Sequence, residues 1–310
     1  MTSSDDLDRL AADLGAWVRQ QRELGHEWYL DAGEPAVVPA DPSPRTALAL
    51  PARLLAREPS PPVAPNADAD KATREADFAR ECEAFVRDTV ARVARERAAA
   101  PQADIFSAAA APAAPASLSR DEKMATLADL AAGVTSCVRC RLAEKRTQTV
   151  FGVGDPDAGI VFVGEAPGRE EDLQGEPFVG RAGQLLNEIL KAIGLRREDV
   201  YICNILKCRP PENRDPEADE VEQCEPYLKR QLAVIGPTVI CCLGRHAAHT
   251  LLRTNASLSA LRERAHFLGD VPVVVTYHPA ALLRNPHWKR PTWDDVRKLR
   301  ALYEALRGKA

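Results

Sequence analysis

The chain is expected to form a three-layer α/β/α domain around a four-stranded parallel sheet, preceded by a helical and partly disordered amino-terminal extension. Three observations predict this. Four apolar runs, 160–164, 200–205, 238–243 and 271–276, have the length of strands and no polar alternation, as strands covered on both faces should. Helical stretches over 182–193, 216–234 and 246–254 separate them. Alternation at that spacing calls for right-handed crossovers with helices on both faces of the sheet. The third observation is a sharp change of composition near residue 118, which divides the sequence into an extension, 1–118, and a compact domain, 119–310.

Within the extension, Leu7, Leu10, Leu14, Trp17 and Val18 have helical spacing, and prolines from Pro35 to Pro65 then rule out a helix or a sheet interior. Residues 68–99 place Phe78, Cys82, Phe85, Val86, Val90 and Val93 at the spacing of an amphipathic helix. A second linker follows in the Ala- and Pro-rich run 108–116. The extension shows no chemistry of its own and leaves room for a protein partner.

Composition narrows the function. A chain of 310 residues with a net charge of −4 has no global basic surplus, so any contact with nucleic acid must come from a local patch. The amino terminus is acidic without an apolar signal-peptide core, and no run is apolar for the length of a membrane span. A cytoplasmic protein with no membrane association is expected. Eight cysteines in a chain of this size suit a reducing compartment rather than a disulfide scaffold.

Those cysteines sort themselves by context. Cys203, Cys241 and Cys242 sit inside apolar runs, where Cys behaves as a small buried hydrophobe, and Cys82 lies in the charged helix. Cys137, Cys140, Cys208 and Cys224 remain. The first two have C-x2-C spacing, which lets two thiolates converge on one centre from a single turn, and the second two are separated by a Pro-rich loop. Spacing leaves zinc and an iron–sulfur cluster both open.

Ligands of parallel sheets bind at the carboxyl ends of the strands. Those ends read Gly164-Glu165-Ala166-Pro167-Gly168, Asn204-Ile205-Leu206-Lys207, Gly244-Arg245-His246 and Tyr277-His278-Pro279-Ala280. A carboxylate, a carboxamide and an imidazole therefore share one rim. Between the first two ends runs Gly175-Glu176-Pro177-Phe178-Val179-Gly180-Arg181-Ala182-Gly183. With no G-K-[ST] and no G-x-G-x-x-G, a nucleotide phosphate loop is poorly supported.

These ordered blocks, with the four cysteines and Cys208-Arg209-Pro210-Pro211, resemble the family 4 uracil-DNA glycosylases, the iron–sulfur branch of the uracil-DNA glycosylase superfamily. The resemblance covers residues 124–306 and leaves the extension outside. It implies a repair hydrolase that releases uracil from DNA, a monomer acting on uracil-containing DNA, and a [4Fe-4S] cluster on Cys137, Cys140, Cys208 and Cys224. A glycosylase must take its base out of the stack, cover its face and hold its polar edge. By resemblance Phe178 covers the face, Asn204 reads the edge, Ala166 lines the pocket and Glu171 stands against the 5-position. Glu165 and His278 would serve the bond-breaking step, as a carboxylate near the sugar and a donor near O2. Leu282, Leu283 and Arg284 combine an apolar wedge with a cation, and Lys207 and Arg209, with Arg214, would neutralise phosphates.

Two other readings use the same residues. An iron–sulfur DNA-binding or polymerase-associated protein without turnover would keep the fold but would not need Glu165, Phe178, Asn204 and His278 together. A redox-sensing regulator finds support only in the cysteines.

Overall fold

The computed structural model describes residues 67–99 and 118–308. The expected helix near the amino terminus and both linkers lie outside these residues. Six strands form one sheet: β1 (Val153–Gly154), β2 (Ile160–Gly164), β3 (Tyr201–Asn204), β4 (Val239–Leu243), β5 (His266–Leu268) and β6 (Val271–Thr276), in the order β1-β3-β2-β4-β6-β5. β3, β2, β4 and β6 are parallel, as the four apolar runs require. The sheet has two strands more than the sequence suggested, because β1 and β5 are short antiparallel edges whose side chains are only half-buried. Too brief for a periodic signature, they left none in the sequence.

Side chains of the parallel strands alternate between two cores. Val161 and Val163 of β2, Ile240 and Cys242 of β4, and Val273 and Val275 of β6 point to one face. There they meet α2 (Arg120–Thr135), α5 (Ala218–Ile235), α6 (Arg245–Leu252) and α7 (Leu258–Arg262) through Leu127, Leu228, Leu232, Ala247, Ala248, Leu251 and Leu261. Ile160, Phe162, Val239, Cys241 and Val274 point the other way. Leu186 and Leu190 of α4 (Arg181–Ala192) and Val296, Leu299 and Leu302 of α9 (Lys289–Arg307) cover that face. The strand period of two makes this partition unavoidable once both faces are covered. Cys203, Cys241 and Cys242 are fully buried, as expected of core cysteines.

Local signals set the ends of several helices. Ser119 opens α2 with a capping box: its hydroxyl accepts from the Glu122 amide (3.3 Å) while Glu122 accepts from the Ser119 amide (2.8 Å). Gly236 closes α5 in the left-handed conformation (φ 63°). Two short helices, α3 (Arg169–Gln174) and α8 (Pro279–Arg284), follow strand ends directly and belong to the site.

The helix expected over 68–99 is present as α1 (Ala67–Ala99). It falls in the segment read as an extension, yet Phe78, Val90 and Val93 are buried, and the last two share the hydrophobic cluster of Ile160, Val239 and Leu299. Phe78 also lies under the Arg297 guanidinium, whose carbon is 4.0 Å from the ring centroid, and Arg97 pairs with Asp270 (3.2 Å). An exposed ion pair such as Arg97–Asp270 contributes about 0–1 kcal/mol, so apolar contact holds the helix. Val93→Asp would place an unpaired charge in that contact at a cost of roughly 2–4 kcal/mol. Chemical denaturation should show this loss, whereas Arg97→Ala should shift stability by about 1 kcal/mol or less.

Candidate active site

Register places the site. In the parallel pair of β2 and β3, Gly164 lies opposite Asn204, so the two strand ends are level. A Cβ on Gly164 would stand 2.3 Å from Asn204 Oδ1 and 2.6 Å from the Phe178 ring. Absence of a side chain at 164 is what lets the aromatic ring and the carboxamide come together. Asn204 is buried, and its Oδ1 has no hydrogen-bond partner. A buried carbonyl oxygen left without a donor costs about 1–3 kcal/mol, an expense that a ligand donating to it would remove.

Phe178 reaches this position through a strained backbone, with φ at +54°. For a non-glycine residue that conformation costs about 1–2 kcal/mol. Arg197 offsets it by donating to the carbonyls of Pro177 and Phe178, the second at 3.2 Å. Hydrogen bonds from a charged donor contribute roughly 1.5–3 kcal/mol each, enough to hold the loop in place. Burial lowers the Arg197 pKa, against the pull of Glu176 and Glu171. The close approach of α4 also needs Gly183, where a Cβ would fall 1.8 Å from the Phe178 carbonyl oxygen. Arg197 lies 19 residues from Phe178 in sequence and escaped the sequence reading. An arginine in an exposed-looking Arg-Arg-Glu-Asp run gave no signal.

Glu171 is held by three backbone amides, those of Gly168 (3.1 Å), Val179 (3.0 Å) and Gly180 (2.9 Å). It staples the loop after β2 to the loop carrying Phe178. Ala166, half-buried between them, packs against the core of the α5 face.

His278 is half-buried at the end of β6, its ring centroid 5.4 Å from that of Phe178. Nδ1 accepts from the Ala280 amide (3.1 Å), which leaves the proton of the neutral ring on Nε2. Burial, helped by the positive charge of Arg284, depresses the pKa to about 4. The ring is therefore neutral near pH 7 and still has one N–H to donate. Gly244, with φ at +92°, lets the chain after β4 pass close by, since a Cβ there would stand 3.0 Å from the His278 Cβ.

Glu165 is half-buried, and burial raises its pKa, with His246, Arg245 and Arg284 pulling it down and Asp215 pushing it up. His246 Nε2 lies 3.9 Å from Glu165 and 3.1 Å from Asp215. His246 was visible as a strand-end residue; Asp215, in the loop before α5, was not. Only tertiary folding brings that loop to the rim.

Two expected DNA contacts are corrected. Lys207 is 1% exposed and donates through Nζ to the Asn204 carbonyl (2.8 Å), so it faces the core and meets no phosphate. Leu282 is also buried, at 1%, because it anchors α8, leaving Leu283 (40% exposed) as the apolar tip and Arg284 as the exposed cation. Arg209 remains partly exposed, with Nε bonded to Asn213 (2.7 Å), whereas Arg214 is spent on buried Glu220.

Cys137, Cys140, Cys208 and Cys224 line one cavity with Arg146, Lys207 and Tyr227. Arg146 donates to Cys208 Sγ (3.3 Å) and to the Cys137 carbonyl (2.7 Å), and the Lys207 amide donates to Cys224 Sγ (3.2 Å). Burial pushes the Cys224 thiol up to about 11. Thiols so placed ionise when a cationic group binds them, and these donors suit thiolates. Among the described residues, the trio of ligand atoms lying within 4.8 Å of one another is that of Glu165, Asp215 and His246.

Residues 151–298 match the uracil DNA glycosylase superfamily. The type-4 uracil-DNA glycosylase of Archaeoglobus fulgidus is 49% identical over 184 residues, 57% of this chain and 92% of that protein. Those of Sulfurisphaera tokodaii and Saccharolobus solfataricus are 45% and 44% identical, over 54% and 57% of this chain and 81% and 84% of theirs. The chain belongs to the type-4 family of uracil-DNA glycosylases within that superfamily.

The crowding at Gly164 can be tested directly. Gly164→Ala should give a folded protein that has lost at least tenfold in affinity for its base, read by free-uracil inhibition or direct calorimetric titration, because the new methyl must displace Phe178 or Asn204.

Proposed function

We infer that the protein hydrolyses the N-glycosidic bond of uracil in DNA, releasing the free base and leaving an abasic site. The observation that carries this reading is the buried, unpartnered Asn204 Oδ1 facing the Phe178 ring at the strand-end rim. An extruded uracil stacks on Phe178, gives its N3–H to Asn204 Oδ1, and receives Nδ2–H at O4. Cytosine presents an amino donor where uracil has O4, so the same amide rejects it. Glu171, fixed by its three amides, acts at the 5-position as an immovable wall, and Ala166 lines the same pocket.

In the reaction the C1′–N1 bond breaks and its electron pair passes into the uracil ring, leaving an oxocarbenium-like sugar. Neutral His278 donates from Nε2 to O2, where the negative charge collects. Ionised Glu165 faces the cationic sugar and orients water, whose oxygen bonds to C1′ while its proton passes to the carboxylate and on to solvent. Glu165 must be ionised, so activity is lost as pH falls through its raised pKa. His278 protonates only near 4, below that point, and stays neutral across the working range.

The four-thiol cavity supports a [4Fe-4S] cluster held by Cys137, Cys140, Cys208 and Cys224. It would tie the turn before β1 to the loop after β3 and supply folding energy. Arg146 and the Lys207 amide would hydrogen-bond its ligand sulfurs. Residues 119–310 carry the site, with α1 packed against them, and act as a monomer; the rest of the segment before them is open to a protein partner. Among the described residues no helix is long and apolar enough to cross a membrane.

Incubation with a uracil-containing oligonucleotide and a thymine control, followed by alkaline cleavage, tests the activity. Intact strands with folded protein would leave a binder without turnover. In Asn204→Asp the ionised carboxylate repels O4, and turnover on uracil should fall roughly tenfold to a hundredfold, with slow cytosine release appearing. Wild-type rates from that variant would remove Asn204 from the edge-reading role. Anaerobically purified protein should contain iron and acid-labile sulfide in near-equal amounts, and Cys208→Ala should melt at lower temperature. Zinc without sulfide would refute the cluster.

A further inference from the structure

An aromatic stack stands beside α8 that the recognition groups do not use. Tyr277 directly precedes His278, and its ring lies parallel to that of Trp288, with centroids 4.7 Å apart and planes 8° from coplanar. The guanidinium carbon of Arg262 is 4.4 Å from the Tyr277 centroid. The Tyr277 ring thus contacts the indole and the guanidinium at once. Arg262 is itself fixed by two hydrogen bonds to buried Asp295 (2.7 and 3.0 Å), which also accepts from Thr276 (2.7 Å). The stack is anchored in the core at one end and finishes at the other in an indole that is 36% exposed.

The indole is also held from its own backbone. The Trp288 amide donates to the Asn285 carbonyl (3.1 Å), and the Trp288 carbonyl accepts from Thr292 (2.8 Å). A large apolar ring, one face covered and partly open to water, is thereby fixed before anything binds to it, and such preorganisation spares the ordering entropy of binding.

We propose that Trp288 is a stacking platform for an unpaired base of the DNA strand flanking the extruded nucleotide. The proposal rests on the uracil-excision reading, and three features choose the occupant. Trp288 and His278 bracket α8, which presents Leu283 to solvent, and the charge of Arg284 reaches both Glu165 and His278. The platform therefore belongs to the rim where DNA must pass. Residues 284–290, Arg-Asn-Pro-His-Trp-Lys-Arg, contain four basic side chains counting His287 and no carboxylate, which suits an anionic backbone. Every base has a π-face, so one rigid indole accepts any neighbour without reading sequence. In intact duplex that face is already covered by the next base pair, so the platform favours single-stranded or locally opened DNA.

Short uracil-containing single strands test this, with each nucleotide flanking the uracil replaced in turn by an abasic spacer. Trp288→Ala should raise Kd and KM about tenfold on the normal strand with little change in kcat, and Trp288→Phe should stay near wild type. Trp288→Leu, which still shields Tyr277 but has no π-face, should match the alanine variant and covers the case in which that variant fails to fold. With wild type, the spacer should cause the same tenfold loss at one flanking position, and the leucine variant should lose nothing further there. Equal affinity of wild type and Trp288→Leu for every strand, or losses that add at every position, would overturn the proposal. Wild-type protein that binds these strands yet releases no uracil would sink the excision reading alone, since the binding cycle still decides the platform.

Discussion

The level pairing of Gly164 with Asn204 at the ends of two parallel strands is the constraint on which the site depends. A one-residue slip would turn Asn204 to the opposite face of the sheet and place a core residue in its stead. Because both faces are covered by apolar layers, such a slip would also bury a carboxamide among hydrocarbon and put an isoleucine or cysteine beside Gly164 in its place. Hydrophobic burial, indifferent to catalysis, thus enforces the alignment of a polar group.

Around that pairing the protein accepts local costs and offsets them nearby. Asn204 leaves an oxygen unsatisfied, and Phe178 adopts a left-handed backbone. Arg197, Glu171 and Gly183 stabilise the second feature by charged hydrogen bonds and close packing. The first stays open, which is consistent with a group awaiting a ligand. Lys207 extends the same economy: its ammonium bonds the carbonyl of Asn204 while its amide bonds Cys224. One residue thereby couples the four-thiol cavity to the strand end at Asn204, a shared support that neither sequence motif suggests.

Helix α1 shows how an extension can join a domain without adding chemistry. Its Val90 and Val93 enlarge the layer that α4 and α9 already form. Small additions of this kind cost little, because an edge of the layer needs only a few apolar side chains to recruit a helix whose remaining face is solvated.

Much of the protein could be read from the sequence. The four parallel strands, their intervening helices and α1 follow from apolar periodicity, a local property of the chain. That Glu165, Phe178, Asn204 and His278 would gather at one rim, and the four cysteines at one cavity, was legible because strand ends of a parallel sheet lie together and because the motifs are short and ordered. Tertiary structure alone decided which cations face solvent and which face the core: Lys207 and Arg209 are two residues apart and indistinguishable by composition, yet one is buried beneath the strand end and the other is not. It also decided that Leu283 and not Leu282 is exposed, that Arg197 braces a loop 19 residues away, and that Asp215 reaches His246. Each of these depends on a direction or a contact between distant segments. A sequence specifies such contacts only through the packing of the whole fold, since burial is settled by every neighbouring element at once and not by the residue itself.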